Sequence, residues 1–303
     1  MIQILLLYAF FASTFTIGSE AIKHVAPLFF TGIRMITSGI LLLAFYRFFQ
    51  NGSFKIKREE IKWFIVILLF HIYFSFGLEY ISYKYLSGAK VCLLYNLSPF
   101  ITALFSYIFF YEKMTIKKWI GFIVGFLGFL PMLLEETPII ENTLGSIGFV
   151  SYAELMAIGS VISSCIGWIA MRKLTTEHNH SYFFVNAFGM FFGGLLTLAS
   201  APLFETAPTM IALTNPSFLV SLSLLILIGN VFAFNLYAHL LHRYTATMIS
   251  FFGFITPLFT AFYDWVWFGT TVSLSFYLTI AFVTYGLYLF YQEELKQGYI
   301  IQD

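Results

Sequence analysis

Three ionisable side chains interrupt otherwise apolar stretches of this sequence: Arg34, Glu79 and Asp264. A charge inside a long apolar run is costly to desolvate, so each needs a counter-charge, a carbonyl or a ligand. Arg34 cannot shed its proton, and its planar fork of donors suits a carboxylate. It is expected either in a fixed ion pair or against the anionic group of a substrate. His71, Ser75 and Glu79 are spaced by four and share one helical face. That stripe is expected to face a cavity, with Glu79 meeting Arg34 or a cationic group. Thr256, Thr260 and Asp264 form a second stripe, and Tyr95, Pro99, Thr102 and Ser106 a third with Asn96 beside it. Pro99 and Pro257 each free a backbone carbonyl inside an apolar run, which makes them candidates for kinks and gates. Trp168 leads the aromatic residues that could stack on a planar or cationic ligand. His178 and His180 flank Asn179 with no acidic partner in sequence beyond Glu177, so no catalytic set is expected. Cys92 and Cys165 lack metal-ligand spacing, and no metal site is expected.

The elements that carry these residues follow from composition. A chain of 303 residues that is 59% hydrophobic and 10% charged has too much apolar surface for one water-soluble core. The bilayer is the second apolar solvent it needs. The 39 Phe and 19 Tyr suit gap filling between helices and anchoring at the headgroup level. A net charge of +1 gives no footprint for nucleic acid. Apolar runs long enough to cross the bilayer fall at 3–21, 28–48, 63–83, 89–111, 117–134, 153–172, 182–201, 218–241, 246–268 and 274–291. The first has no charged region before it and no cleavage pattern after it, and is expected to be a retained span. Gly121, Gly125 and Gly128, like Gly189, Gly193 and Gly194, offer small surfaces for close helix approach. His239, His242 and Arg243 end the eighth run and suit snorkelling or lipid contact.

Basic residues orient the spans. With both termini cytoplasmic, twelve lie at the inner face: Arg47, Lys55, Lys57, Arg58, Lys62, Lys113, Lys117, Lys118, Arg172, Lys173, Arg243 and Lys296. Three, Lys23, Lys84 and Lys90, lie at the outer face. The second half repeats the first. A shift of 158 residues carries Phe74, Phe76 and Leu78 onto Phe232, Phe234 and Leu236, and Pro99, Thr102 and Ala103 onto Pro257, Thr260 and Ala261. A shift of 149 carries Ile17, Gly18, Ala21 and Lys23 onto Ile166, Gly167, Ala170 and Arg172. The fold expected is all-α and integral to the membrane: ten transmembrane helices as two inverted five-helix repeats, 1–136 and 153–303, joined by an external connection at 137–152. An odd number of spans per half turns the copies upside down relative to one another. Two such halves can rock about a site at their interface.

On these residues the chain resembles the ten-span, EamA-type members of the drug/metabolite transporter superfamily. The resemblance rests on Phe15-Thr16-Ile17-Gly18-Ser19, on Pro27 followed by Thr31-Gly32-Ile33-Arg34-Met35, and on Ala89 followed by Ser98-Pro99-Phe100-Ile101-Thr102-Ala103. Phe110-Tyr111-Glu112-Lys113, Gly121 and Gly128 continue it. In the second copy Pro257 survives, but Thr270 stands where a glutamate is usual, which makes Glu112 a helix-end or loop residue rather than a mechanistic one. The resemblance implies a secondary transporter that carries a small organic molecule through a central cavity without cofactor, as a monomer or homodimer among the lipids of a bacterial inner membrane. A cavity offering Arg34, Glu79, Asp264 and many aromatics suits a zwitterion or a nucleoside-bearing cation. S-adenosylmethionine, carried by some members, fits that description, and amino acids or drugs are the alternative.

Overall fold

The computed structural model describes residues 2–50, 52, 54–110, 114–128, 145–147, 150–244, 249–250, 252–269 and 273–298. Glu112, Thr270 and most of the connection 137–152 lie outside the described residues, and so does the side chain of Ser106. The fold is all-α, with one two-residue β-hairpin, Ser146–Ile147 paired antiparallel with Val150–Ser151. Its helices are α1 (Ile2–Ala21), α2 (Pro27–Phe49), α3 (Ile61–Ser82), α4 (Gly88–Leu94), α5 (Ser98–Phe110), α6 (Ile116–Leu127), α7 (Tyr152–Arg172), α8 (Tyr182–Ser200), α9 (Pro216–Leu240), α10 (Thr256–Phe268) and α11 (Leu274–Lys296). A one-turn helix, Met210–Leu213, precedes α9. Among the described residues eight helical segments are long and apolar enough to cross a membrane. The expected fifth and ninth spans are represented by the shorter α6 and α10. The rest of the fifth falls on residues that are not described, as does part of the ninth. Large apolar side chains cover the outside, Phe49 at 77% exposure and Trp267 at 68% among them. Water would not tolerate that surface, whereas lipid does.

Glycine lets several helices meet closely, α2 with α8 and α6 with α11 among them. A Cβ on Gly39 would stand 2.6 Å from the backbone nitrogen of Phe191, one on Gly32 2.8 Å from Leu198, and one on Gly194 2.8 Å from Ile36 and Met35. α2 and α8 therefore lie backbone to backbone along a seam that small residues permit. Gly286 of α11 approaches Gly121 and Gly125 of α6 in the same way. Elsewhere α1 packs on α9 and α10, α3 on α7 and α8, and α5 on α7.

Neither α3 nor α9 is uniformly α-helical. Ile67–Phe74 and Leu225–Ala233 are π-helical, with wider turns that displace side chains relative to an α-helical register. A 3₁₀ turn, Tyr95–Leu97, precedes α5, and another, Gly253–Ile255, precedes α10. Pro99 and Pro257 are buried just inside these helix starts, where a missing backbone N–H costs little. These four breaks position the central residues.

Candidate functional site: a central polar cavity

A cavity of about 110 Å³ opens in the middle of the bundle, lined by α1, α2, α3, α4, α5, α7, α9 and the turn before α10. Since one water needs roughly 10–15 Å³ on this measure, it has room for several. Arg34 enters it from α2 and is 1% exposed. Its Nε donates to Asn230 Oδ1 at 2.7 Å, and its Nη1 donates to the Tyr80 hydroxyl. The guanidinium also lies over the rings of Phe76 and Tyr80, at 5.0 and 5.5 Å from their centroids. Two glycines leave it this space: a Cβ on Gly229 would come 3.4 Å from Nη2, and one on Gly18 would come 3.0 Å from the Tyr80 hydroxyl. No carboxylate lies within 4.0 Å of Arg34 among the described residues. The cation is held by neutral groups.

Glu79 lines the same cavity, and it is not Arg34's ion-pair partner. Its two carboxylate oxygens accept one hydrogen bond each, at 2.8 Å, from the hydroxyls of Tyr83 and Tyr95. The Tyr95 hydroxyl also meets Ser160 Oγ at 2.7 Å, so α7 supports the arrangement. The two networks touch through the edge-to-face rings of Tyr80 and Tyr83, 5.2 Å apart, rather than through a charge pair. The cavity thus presents a positive and a negative group, each in a cage of neutral partners. Such charges retain most of their capacity to attract a mobile opposite charge.

An aromatic platform lines the same cavity. Trp168 stacks on Tyr237 with centroids 3.8 Å apart and planes at 25°, and Phe234 lies 5.3 Å from Trp168. Asn96 is 3% exposed, lines the cavity and leaves its Nδ2 donor without a hydrogen-bond partner among the described residues. Ser75 and Thr102 also line it, and Thr102 Oγ1 donates to Cys165 Sγ at 3.5 Å. His71 is buried behind the platform, 4.4 Å from the Trp168 ring and against Gly167, and does not line the cavity. Thr260 and Asp264 sit outside the lining on the seam between α1 and α10: Thr16 Oγ1 donates to Asp264 at 2.6 Å, and Thr260 Oγ1 donates to Cys92 Sγ at 3.1 Å. Pro99 and Pro257 are not in the lining either, but the residues before them, Ser98 and Thr256, are.

A central cavity lined by a buried arginine and a buried glutamate in an apolar helical bundle is the architecture of a carrier, and comparison with known proteins gives it a family. The model of the EamA-like transporter family matches residues 1–134 and again 151–292. This chain belongs to the EamA-like transporter family. It is 31% identical over 297 residues to the S-adenosylmethionine/S-adenosylhomocysteine transporter of Chlamydia muridarum, covering 96% of this chain and 91% of that protein. The Chlamydia trachomatis proteins of the same name are 30% identical over 293 residues, with 96% and 88% coverage. The uncharacterized inner membrane transporter YedA of Escherichia coli is 22% identical over 94% of this chain and 90% of its own. One solved crystal structure has the same fold, with a TM-score of 0.69 over 98% of this chain and 96% of that one at 16% identity.

The transporter's cavity depends on residues that sequence spacing does not single out. Asn230, Tyr83 and Ser160 complete the cages of Arg34 and Glu79 across separations such as the 196 residues between Arg34 and Asn230. A lone amide in an apolar span is a usable signal, because membrane helices use such groups to hold one another. Asn230 and Asn235 in α9 carry it. At one end of the bundle the structure also supplies the acidic partner missing from the sequence around His178 and His180. Glu60, 1% exposed, receives the backbone N–H of Lys57 at 2.8 Å and lies 2.9 Å from His180 Nε2 and 3.5 Å from His178 Nδ1. Asn179 turns the loop with a φ of 55°, a conformation asparagine tolerates. Burial pushes the Glu60 carboxyl up, but the bonds from Lys57 and His180 outweigh it and hold the group below the usual carboxylate range. Glu59 joins Glu60 and His178 in a cluster with ligand atoms within 4.8 Å. Glu60 is already committed to Lys57 and His180, so the cluster reads as a latch between loops.

Proposed function

We propose that this transporter carries S-adenosylmethionine, or a closely related amino-acid-like zwitterion or cation, by alternating access. The observation that carries the reading is that Arg34 and Glu79 line one cavity without pairing. In S-adenosylmethionine the carboxylate would meet Arg34 and the ammonium or sulfonium Glu79. The adenine would stack on the Trp168 and Tyr237 platform, and Asn96 Nδ2 would donate to a base or ribose acceptor. The aromatic surface is what favours an S-adenosyl compound over a plain amino acid, which needs only the two charged poles. The names of the Chlamydia relatives point the same way. In proteoliposomes holding unlabelled S-adenosylmethionine, we expect saturable uptake of the labelled compound that S-adenosylhomocysteine competes for and methionine does not. Competition by methionine alone, or no uptake of S-adenosylmethionine, would refute the assignment.

The same reading takes the chain as ten spans in two inverted repeats, 1–136 and 153–303, with 137–152 as the external connection. Three findings support it. The family model matches twice, once in each half. The four helix breaks obey the 158-residue shift: the π stretches begin at Ile67 and Leu225, and the 3₁₀ turns span Tyr95–Leu97 and Gly253–Ile255. Helix pairs recur in exchanged form, α1 with α10 and α7 with α5 among them. Symmetric breaks beside one cavity are what rocking halves require. On the basic bias, this reading takes both termini as cytoplasmic and the membrane as a bacterial inner membrane. A cysteine introduced as Glu141→Cys, with the native cysteines replaced, should then react with an impermeant thiol reagent in intact cells. Labelling only after permeabilisation would invert the topology.

A further inference from the structure

A second cavity, about 580 Å³, lies on the outside of the bundle between α2, α8 and α9. Its walls are apolar, with Leu41 and Phe45 from α2, Phe183 from α8, and Leu227 and Phe232 from α9. Along α9 the groove follows one face, since Leu227, Val231, Asn235 and His239 all line it. From Leu227 to His239 that face is at most roughly 18 Å long at ~1.5 Å per residue, shortened along the π-helical stretch that ends at Ala233, and so close to the ~15 Å of one leaflet's hydrocarbon. The face then runs on to His242 and Arg243, both exposed. Tyr182 stands at the same end, its ring 5.8 Å from that of His239 and 6.1 Å from that of His242. The amide in the wall is already spent: Asn235 Nδ2 donates to the carbonyls of Asn230 and Val231 at 3.3 and 2.8 Å, and its Oδ1 accepts from Asn186 at 3.0 Å. The uncommitted polar capacity is at the basic end, where Arg243 makes no ion pair among the described residues.

We propose that this groove seats one acyl chain of an anionic phospholipid, with the phosphate held by Arg243 together with His239 and His242. The groove has no acidic lining residue among the described residues to repel a phosphate, its length matches a leaflet, and its polarity rises toward the end where a headgroup would lie. The site is independent of which solute the central cavity carries.

Native mass spectrometry of the full-length protein, offered equal palmitoyl-oleoyl phosphatidylglycerol and phosphatidylcholine, tests the proposal. We expect one phosphatidylglycerol to be retained preferentially. Arg243→Gln should lower that retention about fivefold, the effect of one basic side chain near an anionic headgroup, and lower phosphatidylcholine retention less, because choline offsets the charge of the same phosphate. Arg243→Lys should keep most of it, and Val231→Phe should weaken retention of both lipids by obstructing the groove partway along α9. Equal retention of the two lipids by the native protein, or unchanged phosphatidylglycerol retention in Arg243→Gln, overturns the site. So does a protein dimer that Val231→Phe disrupts, since a second copy would then be the occupant. Should Arg243→Gln fail to fold, a salt titration of the native protein decides: the preference must fall as salt rises.

Discussion

Replacing Arg34 by glutamine should abolish high-affinity substrate binding while leaving the protein folded. The expectation comes from what surrounds the guanidinium. Asn230 Oδ1 and the Tyr80 hydroxyl are its hydrogen-bond partners, and both are neutral. Glutamine keeps a donor for one of them and leaves no carboxylate stranded, because none lies within 4.0 Å among the described residues. Truncating one member of a buried charge pair costs about 2–5 kcal/mol, which here means a loss of roughly thirtyfold or more in affinity for a ligand whose carboxylate Arg34 meets. Glu79→Gln should weaken binding separately, since its tyrosine donors can still be satisfied by an amide oxygen. The double variant should be as inactive as the worse single one. Calorimetric titration with S-adenosylmethionine, run beside thermal unfolding of all three variants, checks this. A double variant that regains both transport and stability would mean that Arg34 and Glu79 serve one another and not a substrate.

The contrast between these two residues and their surroundings explains how far the sequence could be read. That the protein is all-α and embedded in lipid is legible because apolar runs of about 20 residues have few other outcomes. Arg34 and Glu79 stand out for the same reason: lipid makes an intramembrane charge rare, so its presence alone marks a site. Their partners are another matter. Tyr83 and Tyr95 are two among 19 tyrosines, and nothing local separates the two that hold a carboxylate from those that face lipid. Asp264 closes a four-residue stripe in sequence as Glu79 does, yet it is turned onto the α1–α10 seam toward Thr16. A four-residue stripe fixes a face, while the neighbour that this face meets depends on how helices cross. The π stretches add to the difficulty, because Ile67–Phe74 changes the register in which His71, Ser75 and Glu79 share one helical face. The glycines are the reverse case. Their role in helix contact is legible as a class, but which one closes a seam tightly is a matter of distance.

That difference can be measured with two identical substitutions. Gly39→Ala should destabilise the protein strongly, and Gly77→Ala should not. Both glycines lie within helices, where alanine is intrinsically favoured by about 0.8–1 kcal/mol. At Gly77 the added Cβ would meet only Leu28 Cδ2 at 3.5 Å, an ordinary contact, so the propensity gain survives and the melting temperature should hold or rise. At Gly39 the same atom would stand 2.6 Å from the backbone nitrogen and 2.7 Å from the Cα of Phe191. Backbone cannot rotate aside as a side chain does, so α2 and α8 must separate. Separation also loosens the contacts of Gly32 with Leu198 and of Gly194 with Ile36 along the same seam. Overpacking of this kind costs about 1–3 kcal/mol and sometimes more, which exceeds the propensity gain and should lower the melting temperature by on the order of 5 °C. Because α2 also carries Arg34, substrate affinity should fall with stability in Gly39→Ala. Thermal unfolding of the two variants in one detergent, with and without S-adenosylmethionine, is the measurement. Equal melting temperatures would mean that the α2–α8 seam is wider than the structure has it, and that something other than close helix approach holds Arg34 in the cavity.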